Sequence, residues 1–234
     1  TKLAYDARNK LVSDPRVFDA TSEMTSEQLA SDLANKISMN RVIDDVSAIA
    51  EEVHKDTIYI TVVDKDRMSV SLIYSIFHGF GSGIASEKFG VLFQNRGAGF
   101  NLVPGHFNEY GPNKRPMHTI IPAIVKEKGL IKMPFGVMGG QYQATGHARI
   151  LSNIYDFGME IQTALDAPRS FFENGFLRIE RGYSERTVQK LSSLGHSIDQ
   201  EIGPIGGAQA IKINENGVLE GASDPRKDGS ALGY

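Results

Sequence analysis

At 234 residues, the chain is long enough for one large domain or two small ones. Hydrophobic residues make up 41% of it and charged residues 23%, which is an ordinary balance for a folded protein. The net charge of −3, without a long basic run, does not indicate nucleic-acid binding, and the absence of cysteine excludes disulfides, thiolate metal sites and a cysteine nucleophile.

No membrane span or signal peptide is visible in the sequence. No apolar run approaches the roughly 20 residues needed to span a bilayer, and residues 1–20 are too polar for a signal peptide. The sequence starts at a threonine, as a fragment or a processed piece would. The compartment therefore stays open, with the cytoplasm as the default.

The chain before Thr57 predicts polar helices. Thr25 and Gln28 in TSEQLASDLANKI match a capping box, and Leu29, Leu33 and Ile37 follow at helical spacing. A second amphipathic segment, RVIDDVSAIAEEVHK, comes next.

The character of the sequence then changes to that of a sheet. Residues 58–63, IYITVV, are β-branched and aromatic and predict a largely buried strand. The turn DKDR joins it to a second strand in MSVSLIYSIF, which predicts a hairpin. HGFGSG must be a loop, GVLFQ reads as a short apolar strand, and NRGAGFNLVPGHFNEYGPNKRP predicts a long ordered surface loop.

The rest of the chain mixes strands and helices. MHTIIPAIV and LIKMPFGVM predict two strands, and QYQATGHARILSNIYDFG predicts a helix closing at Gly158. SERTVQKLSSLG predicts a helix with Ser184 as N-cap and Gly195 at its end. GGAQAIKI and GVLEGAS predict a last hairpin. This order of elements favours a layered α+β domain with antiparallel pairing.

Thr57 is the first candidate for chemistry. A threonine hydroxyl is a weak nucleophile unless a base lies beside it, and an N-terminal threonine carries its own base, an α-amine with a pKa near ~8. Attack by the Thr57 hydroxyl on the Asp56–Thr57 bond would expose that amine. The alternative is an ordinary threonine at a strand edge, and the position alone does not decide.

Three further residues are candidates for supporting that chemistry. Ser75, near the end of the second strand, is positioned to reach back across the hairpin towards Thr57; alternatively, it is an exposed strand serine. Gly139 and Gly140 separate an apolar strand from a helix, so their backbone N–H groups can stabilise a developing oxyanion. The alternative is a tight turn that needs positive φ.

The other polar motifs are less specific. The histidines show no HExxH metal spacing, and GFGSG lacks the Gly-Lys-Ser/Thr ending of a phosphate-binding loop. Lys114-Arg115-Pro116 is compatible with recognition of a carboxylate or with a surface charge pair. Phe171 and Phe172 are most simply core residues.

Taken together, these motifs resemble the γ-glutamyltransferase (γ-glutamyltranspeptidase) family of N-terminal-nucleophile hydrolases. KLAYDARNKLVSDP resembles the end of the family's large subunit, and DTIYITVVDKD resembles the start of its small subunit. GFGSG, GVLFQNRGAGF, KRPMHTIIPAIV, FGVMGGQ, DFGMEIQTALDAPR and GGAQAI follow in family order. The closing run GASDPRKDGSALGY is especially distinctive.

The resemblance implies an α+β fold, a four-layer αββα sandwich of N-terminal-nucleophile hydrolase type. Residues 1–56 would be the helical C-terminal part of the large subunit and residues 57–234 the small catalytic subunit, both within one domain. Its implied partners are the large-subunit segment upstream of Thr1 and a small γ-glutamyl substrate, and a dimer of such two-chain units is compatible with it. Neither nucleic acid nor a membrane span is implied.

The same resemblance assigns roles to the candidates. Thr57 is the nucleophile, Ser75 the supporting hydroxyl, and the Gly139 and Gly140 amides form the oxyanion hole. The implied reaction is transfer of a γ-glutamyl group from glutathione to water or to an amino acid. No metal or organic cofactor is implied.

The substrate-binding candidates are Asn95, Arg115, His118 and Thr119. Two of the matching motifs depart from the family pattern. The segment Gln94–Gly99 has no carboxylate where the family reads the glutamyl α-amine, and His118-Thr119 replaces a serine pair. The alternatives are therefore an acylase for a dicarboxylic side chain such as glutaryl, or an inactive binding homologue.

Overall fold

A computed structural model describes residues 1–43, 57–200 and 203–234, which form two compact units. Neither unit is a continuous stretch of sequence. The described residues of the first unit are 1–43, 95–118 and 170–200, and those of the second are 57–94, 119–169 and 203–234. Within these ranges, no helix has the length and apolar character needed to cross a bilayer.

The elements are as follows in chain order. The helices are α1 (Lys2–Leu11), α2 (Thr21–Met24), α3 (Glu27–Ala34), α4 (Gln143–Tyr155), α5 (Ile161–Asp166) and α6 (Glu185–Ser193). The strands are β1 (Thr57–Val63), β2 (Ser69–Ser75), β3 (Ala123–Glu127), β4 (Leu130–Met138), β5 (Ser170–Glu173), β6 (Phe176–Ile179), β7 (Ile198–Asp199), β8 (Gly207–Ile213) and β9 (Leu219–Ser223). Short 3₁₀ turns cover Arg96–Gly99 and Gly140–Tyr142.

The first unit joins residues from both sides of the Asp56–Thr57 bond. Strand β5 pairs with β6 and β6 with β7, and α1 packs on this sheet. The Tyr5 ring meets Phe171 edge-on at 5.7 Å between centroids, and the Lys2 ammonium lies 3.9 Å from the centroid of the Phe172 ring. Phe171 is buried, in agreement with its assignment to the core.

The second unit has three layers. The β1–β2 sheet packs on one face of a four-stranded sheet ordered β3-β4-β8-β9, and α4 and α5 cover the other face. Successive residues of β4 point alternately towards the helices and towards the β1–β2 sheet. Phe135 contacts His147 of α4 with 5.1 Å between ring centroids, whereas Gly136 lies directly under the Tyr59 ring of β1. The predicted α+β class is confirmed.

Most predicted elements are present at nearly the predicted positions. The hairpin joins β1 to β2 through residues 64–68, and β8 pairs with β9. Strand β3 pairs with β4 but begins only at Ala123, so residues 117–122 of the predicted strand MHTIIPAIV are not part of it. Helix α6 has Ser184 as its N-cap, with the Ser184 Oγ accepting from the Thr187 N–H at 3.2 Å. The glycines predicted to end α4 and α6, Gly158 and Gly195, have φ of 67° and 98°.

Four local predictions need correction or lie outside the described residues. The N-cap of α3 is Ser26, whose Oγ accepts from Leu29 N–H at 3.1 Å, and Ile37 lies beyond the helix. Residues 90–94, all described, form only an isolated bridge between Leu92 and Ala85 instead of a strand. Most of RVIDDVSAIAEEVHK, together with Asp56, lies outside the described residues.

The prediction that β1 is largely buried is wrong. Only one face of the hairpin is covered, by contact of Tyr59 and Ile73 with Met138. Because side chains alternate along a strand, the other face exposes six apolar side chains, each between 45% and 62% exposed. These are Ile58, Ile60, Val62, Val70, Leu72 and Tyr74. High β-propensity indicates a strand but not which faces of it are covered.

Candidate active site

Thr57 and Ser75 face each other at the open end of the β1–β2 hairpin. They are cross-strand partners, and the Thr57 hydroxyl donates to the Ser75 Oγ at 2.9 Å. Both residues are half-buried, so the pair is ordered but still accessible. Because the Thr57 hydrogen points at Ser75, the lone pairs of the Thr57 oxygen are free for attack on a carbonyl.

Ser75 is itself held by the backbone that follows it. The Phe77 N–H donates to the Ser75 Oγ at 3.0 Å, so this oxygen accepts two hydrogen bonds. Phe77 reaches this position with φ of 78°, a left-handed conformation that is strained for a bulky residue. Its ring is buried and stacks on His78 at 4.6 Å. Nothing in the sequence pattern indicated this role for Phe77.

The double glycine forms a left-handed turn at the end of β4. Gly139 has φ of 123° and Gly140 has φ of 56°, a pair of conformations that glycine adopts without a steric cost. Tyr142 N–H donates to Gly139 C=O at 3.1 Å and closes the turn, and α4 begins at the next residue. The turn therefore presents backbone to its surroundings where a side chain would otherwise stand.

The hairpin pair and the glycine turn lie at the same end of the packed sheets. Tyr59 lies on Gly136 of β4. Ser71 lies further from the open end of the hairpin than Tyr59, and it contacts the carbonyl of the preceding β4 residue, Phe135. Moving along the hairpin towards Thr57 thus moves along β4 towards its last residue, Met138. Met138 packs with Tyr59 and with Ile73, two residues before Ser75 on the same strand.

Thr119 begins the segment that runs beside this region of the second unit. It is buried, and Ile120 after it packs on the cluster formed by Tyr59, Ile73 and Met138. The Ile121 N–H donates to the Gln143 Oε1 at 3.0 Å, which ties the segment to the first turn of α4. The backbone next to Thr119 is therefore fixed in position by these contacts.

Asn95, Arg115 and His118 belong to the first unit. Asn95 precedes the 3₁₀ turn, and its carbonyl accepts from Ala98 N–H at 3.0 Å. The exposed His118 has Nδ1 at 3.0 Å from the Pro116 carbonyl oxygen. Their assignment to substrate binding stays a prediction, as does the cleavage site at Asp56, a residue outside the described part of the chain.

Arg115 lies against a buried carboxylate of the protein itself. Its backbone N–H donates to the Asp14 Oδ2 at 2.9 Å, and its guanidinium lies 3.6 Å from the Oδ1. Arg16 binds the same carboxylate, and its hydrogen bond is the main reason that the pKa of Asp14 lies well below its ordinary value. Asp14 thus fastens the KRP motif to the end of the first helical segment.

His147 is buried in α4 but contacts none of the candidate reacting atoms. Its Nδ1 lies 2.7 Å from the Gln143 carbonyl oxygen, so Nδ1 carries the proton. Burial lowers the pKa of His147, against a smaller opposing effect of the Gln143 and Ile121 backbone. Within the described ranges, no three His, Asp or Glu side chains converge in a way that could hold a metal ion.

The distinctive closing motif, DPR, has a buried structural role that sequence reasoning did not assign. Asp224 is fully buried and pairs with Arg169, which is only 2% exposed. Arg226 donates to the Leu165 carbonyl at 2.9 Å and to the Ala167 carbonyl at 3.1 Å, and so caps the C-terminus of α5. The signal was available, because arginine and aspartate are rarely buried unless paired.

Comparison with known proteins adds the following findings. A family model described as gamma-glutamyltranspeptidase matches residues 1–234. The chain is 35% identical over 242 residues to the glutathione hydrolase-like YwrD proenzyme of Bacillus subtilis, covering 99% of this chain and 45% of that protein. It is 33% identical over 247 residues to the oxamate amidohydrolase proenzyme of Klebsiella pneumoniae, covering 100% and 46%. The chain thus spans about half the length of the curated relatives it matches.

Solved structures agree with this relationship. A cephalosporin acylase from Bacillus halodurans superimposes with a TM-score of 0.88 at 33% identity, over 100% of this chain and 44% of that one. A gamma-glutamyltranspeptidase from Pseudomonas nitroreducens, complexed with L-DON, gives a TM-score of 0.70 at 27% identity, over 75% of this chain and 98% of that one. The fold is therefore the α+β sandwich of the N-terminal-nucleophile hydrolases.

Proposed function

This chain belongs to the gamma-glutamyltranspeptidase family, and we propose that it supplies the catalytic part of an amide-cleaving acyl hydrolase or transferase with Thr57 as nucleophile. The observation that carries the proposal is the 2.9 Å hydrogen bond from the Thr57 hydroxyl to Ser75. It stands at the end of the packed sheets where the Gly139–Gly140 turn follows β4. A nucleophile, a hydroxyl that orients it and backbone N–H donors are the groups that acyl transfer needs.

Maturation is the first step of the proposed mechanism. The Thr57 hydroxyl attacks the Asp56 carbonyl carbon, the C–N bond breaks as the amine leaves, and water hydrolyses the resulting ester. The relatives in Bacillus subtilis and Klebsiella pneumoniae are named proenzymes, which supports processing of this kind. The alignment with the Pseudomonas nitroreducens chain covers 98% of that chain but only 75% of this one. Residues 57–234 make up nearly the same share of this sequence.

Catalysis then uses the freed α-amine of Thr57 as the base. The amine takes the hydroxyl proton while the oxygen bonds to the acyl carbonyl carbon, and the carbonyl oxygen becomes an oxyanion facing the Gly139 and Gly140 amides. Collapse breaks the C–N bond, and the leaving amine departs with the proton from the ammonium. Water or an acceptor amine then attacks the ester and restores the Thr57 hydroxyl.

γ-Glutamyl amides such as glutathione are the proposed substrates. Support comes from the family match, from the Bacillus subtilis relative named glutathione hydrolase-like and from the Escherichia coli relative named glutathione hydrolase. We retain Asn95, Arg115, His118 and Thr119 as the proposed substrate-binding residues, and the upstream part of the polypeptide as the proposed partner subunit. The first unit fits such a partnership, because Lys2 and Tyr5 pack on Phe172 and Phe171 across the proposed cleavage.

A second candidate substrate keeps the terminal carboxylate of a γ-glutamyl group but lacks its ammonium. The segment from Gln94 to Gly99 has no acidic residue, and its one charged side chain, Arg96, is only 6% exposed. Burial lowers the pKa of Arg96. A guanidinium favours a carboxylate and disfavours an ammonium. The relative named oxamate amidohydrolase acts, by its name, on a small amide of this anionic kind.

Mapping the chain ends of the full-length protein tests the nucleophile. Mass spectrometry is expected to find a new N-terminus at Thr57 in the unaltered protein and in Thr61→Ala, but not in Thr57→Ala. Thr61 is the matched control, since it lies on the same strand with an exposed hydroxyl bonded to the Val70 carbonyl. An intact bond before Thr57 in active protein would refute the mechanism.

Labelling and substrate comparison then separate the candidate functions. An electrophilic glutamine analogue is expected to attach to Thr57, and cleaved protein that neither forms the adduct nor turns over γ-glutamyl-anilide, glutaryl-anilide or oxamate would identify an inactive binding homologue. Rates on γ-glutamyl-anilide, glutaryl-anilide and oxamate distinguish the acyl groups. A preference for either anionic substrate would select the second candidate over the first.

A further inference from the structure

Gly206 lies in direct backbone contact with the glycine turn at the end of β4. Strands β4 and β8 pair with Met138 opposite Gly207, so the next residues outward, Gly139 and Gly206, face each other. A Cβ placed on Gly139 would stand 2.8 Å from the Gly206 Cα. The two glycines thus pack backbone against backbone, a contact that no other residue type permits at this distance.

Gly206 has no room for a side chain of its own. Its φ is 67°, and a Cβ placed on it would lie 2.5 Å from the Met138 carbonyl oxygen and 2.7 Å from the Cδ1 of Tyr142. Met138 is paired with Gly207 of β8, so its oxygen cannot move away without disturbing that pairing. Any side chain at 206 must therefore displace either its own loop or the turn after Met138.

Tyr142 fills the space beneath this contact. Its buried ring lies over Gly206 and over Gly146 of α4, where an added Cβ would stand 2.7 Å from the Tyr142 Cε1. Its backbone N–H closes the turn by donating to the Gly139 carbonyl at 3.1 Å. One residue thus fixes the turn through its backbone and supports the opposing loop through its ring.

The far side of the loop is held by a buried cation. Arg169 donates from Nη1 to the Ile205 carbonyl at 2.9 Å and pairs with the buried Asp224. Its guanidinium carbon also lies 5.9 Å from the centroid of the Tyr142 ring. The loop carrying Gly206 is therefore clamped between the turn above it and an ion pair behind it.

We propose that Gly206 and Tyr142 are positioning residues for the oxyanion turn, keeping the Gly139 and Gly140 amides aimed at the developing oxyanion. This inference rests on the proposed acyl-transfer function. The amides act only when charge develops on the carbonyl oxygen, so their displacement slows acylation without weakening ground-state binding. A displacement of the order of 1 Å costs about 10²-fold in rate.

The test compares two glycine substitutions in the full-length protein. Gly206→Ala introduces a side chain into the contact, whereas Gly129→Ala introduces one at φ of 82° with nothing within 4 Å, in the turn between β3 and β4. Both carry the strain of left-handed alanine, so only the contact differs. Single-turnover acylation by γ-glutamyl-anilide is expected to slow about 10²-fold in Gly206→Ala, with the substrate dissociation constant changed less than threefold, and to stay within twofold in Gly129→Ala.

A second pair of variants tests the same proposal if Gly206→Ala does not fold. Tyr142→Leu keeps an apolar side chain of moderate size but removes the ring over Gly206, and is expected to slow acylation about tenfold. Tyr155→Leu, at the exposed tyrosine that ends α4, is its control. Acylation in Gly206→Ala and Tyr142→Leu equal to that of their controls would overturn the positioning role.

The proposed function and the positioning role fail in different ways. If the unaltered protein forms no adduct at Thr57 with the electrophilic glutamine analogue and turns over none of γ-glutamyl-anilide, glutaryl-anilide and oxamate, the proposed function itself is wrong. If the unaltered protein labels and turns over normally while Gly206→Ala matches Gly129→Ala, only the positioning role is wrong. A dissociation constant that rises in parallel with the loss of rate would also overturn it, since that would indicate a damaged binding site.

Discussion

Replacing Ser75 with alanine removes an oxygen that accepts two hydrogen bonds. One comes from the Thr57 hydroxyl at 2.9 Å and the other from the Phe77 N–H at 3.0 Å. A net contribution of about 0.5–1.5 kcal/mol for each bond gives a total of about 1–3 kcal/mol. If both bonds orient the nucleophile in the transition state, the acylation rate falls by about 5- to 150-fold, since about 1.4 kcal/mol corresponds to a tenfold change.

Ser71 provides the matched control on the same strand. Its Oγ lies 2.6 Å from the Tyr59 hydroxyl and 3.3 Å from the Phe135 carbonyl, so Ser71→Ala also removes two contacts of a half-buried serine. Urea unfolding is expected to show similar losses of stability in the two variants. Acylation of the matured protein, measured by the burst of released aniline, is expected to fall only in Ser75→Ala and to be largely restored in Ser75→Thr. Equal rates in Ser71→Ala and Ser75→Ala would refute the reasoning.

Two further predictions concern stability. Arg169→Met removes one of the two arginines paired with the buried Asp224 carboxylate, the other being Arg226, and is expected to lower the unfolding free energy by about 1.5–3 kcal/mol. Lys10→Met breaks an exposed ion pair on α1, in which the Lys10 Nζ lies 2.7 Å from Asp6, and is expected to cost at most about 0.5 kcal/mol. Equal losses of unfolding free energy in the two variants, measured by urea titration, would contradict the burial assigned to Arg169. Because burial holds the pKa of His147 below its ordinary value of 6.5, the unfolded chain binds the proton more readily. Its contribution to stability is present above pH 6.5 and is lost as the pH falls below it. Replacing His147 with glutamine is expected to weaken the dependence of the unfolding free energy on pH below 6.5. An unchanged dependence on pH would refute the assigned pKa shift.

The candidate nucleophile pair was accessible to sequence reasoning because its geometry is local. A run of β-branched residues, a polar turn and a second such run predict a hairpin, and pairing then brings Thr57 opposite Ser75. The glycine turn was accessible for the same reason, since two glycines between a strand and a helix predict positive φ. Short-range rules suffice where partners lie within one supersecondary unit.

One hairpin was missed although its signal was present. Asn174 and Gly175 join β5 to β6 with φ of 51° and 85°, and Asn-Gly is the commonest pair in two-residue turns of this kind. Its short flanking strands, SFFE and FLRI, have little alternation of their own. Conversely, GVLFQ has strand composition but forms only a bridge, because no described strand pairs with it.

The sequence by itself determined the local elements, the glycine turn and the family motifs, since each depends on residues near one another in the chain. Only the tertiary structure decided that Gly206 abuts Gly139 and that Arg169 meets Asp224. These contacts join segments through strand register and burial. The neighbours of a residue in a packed core depend on which distant segments pack together. The periodicity of hydrophobic residues along the sequence does not specify those segments.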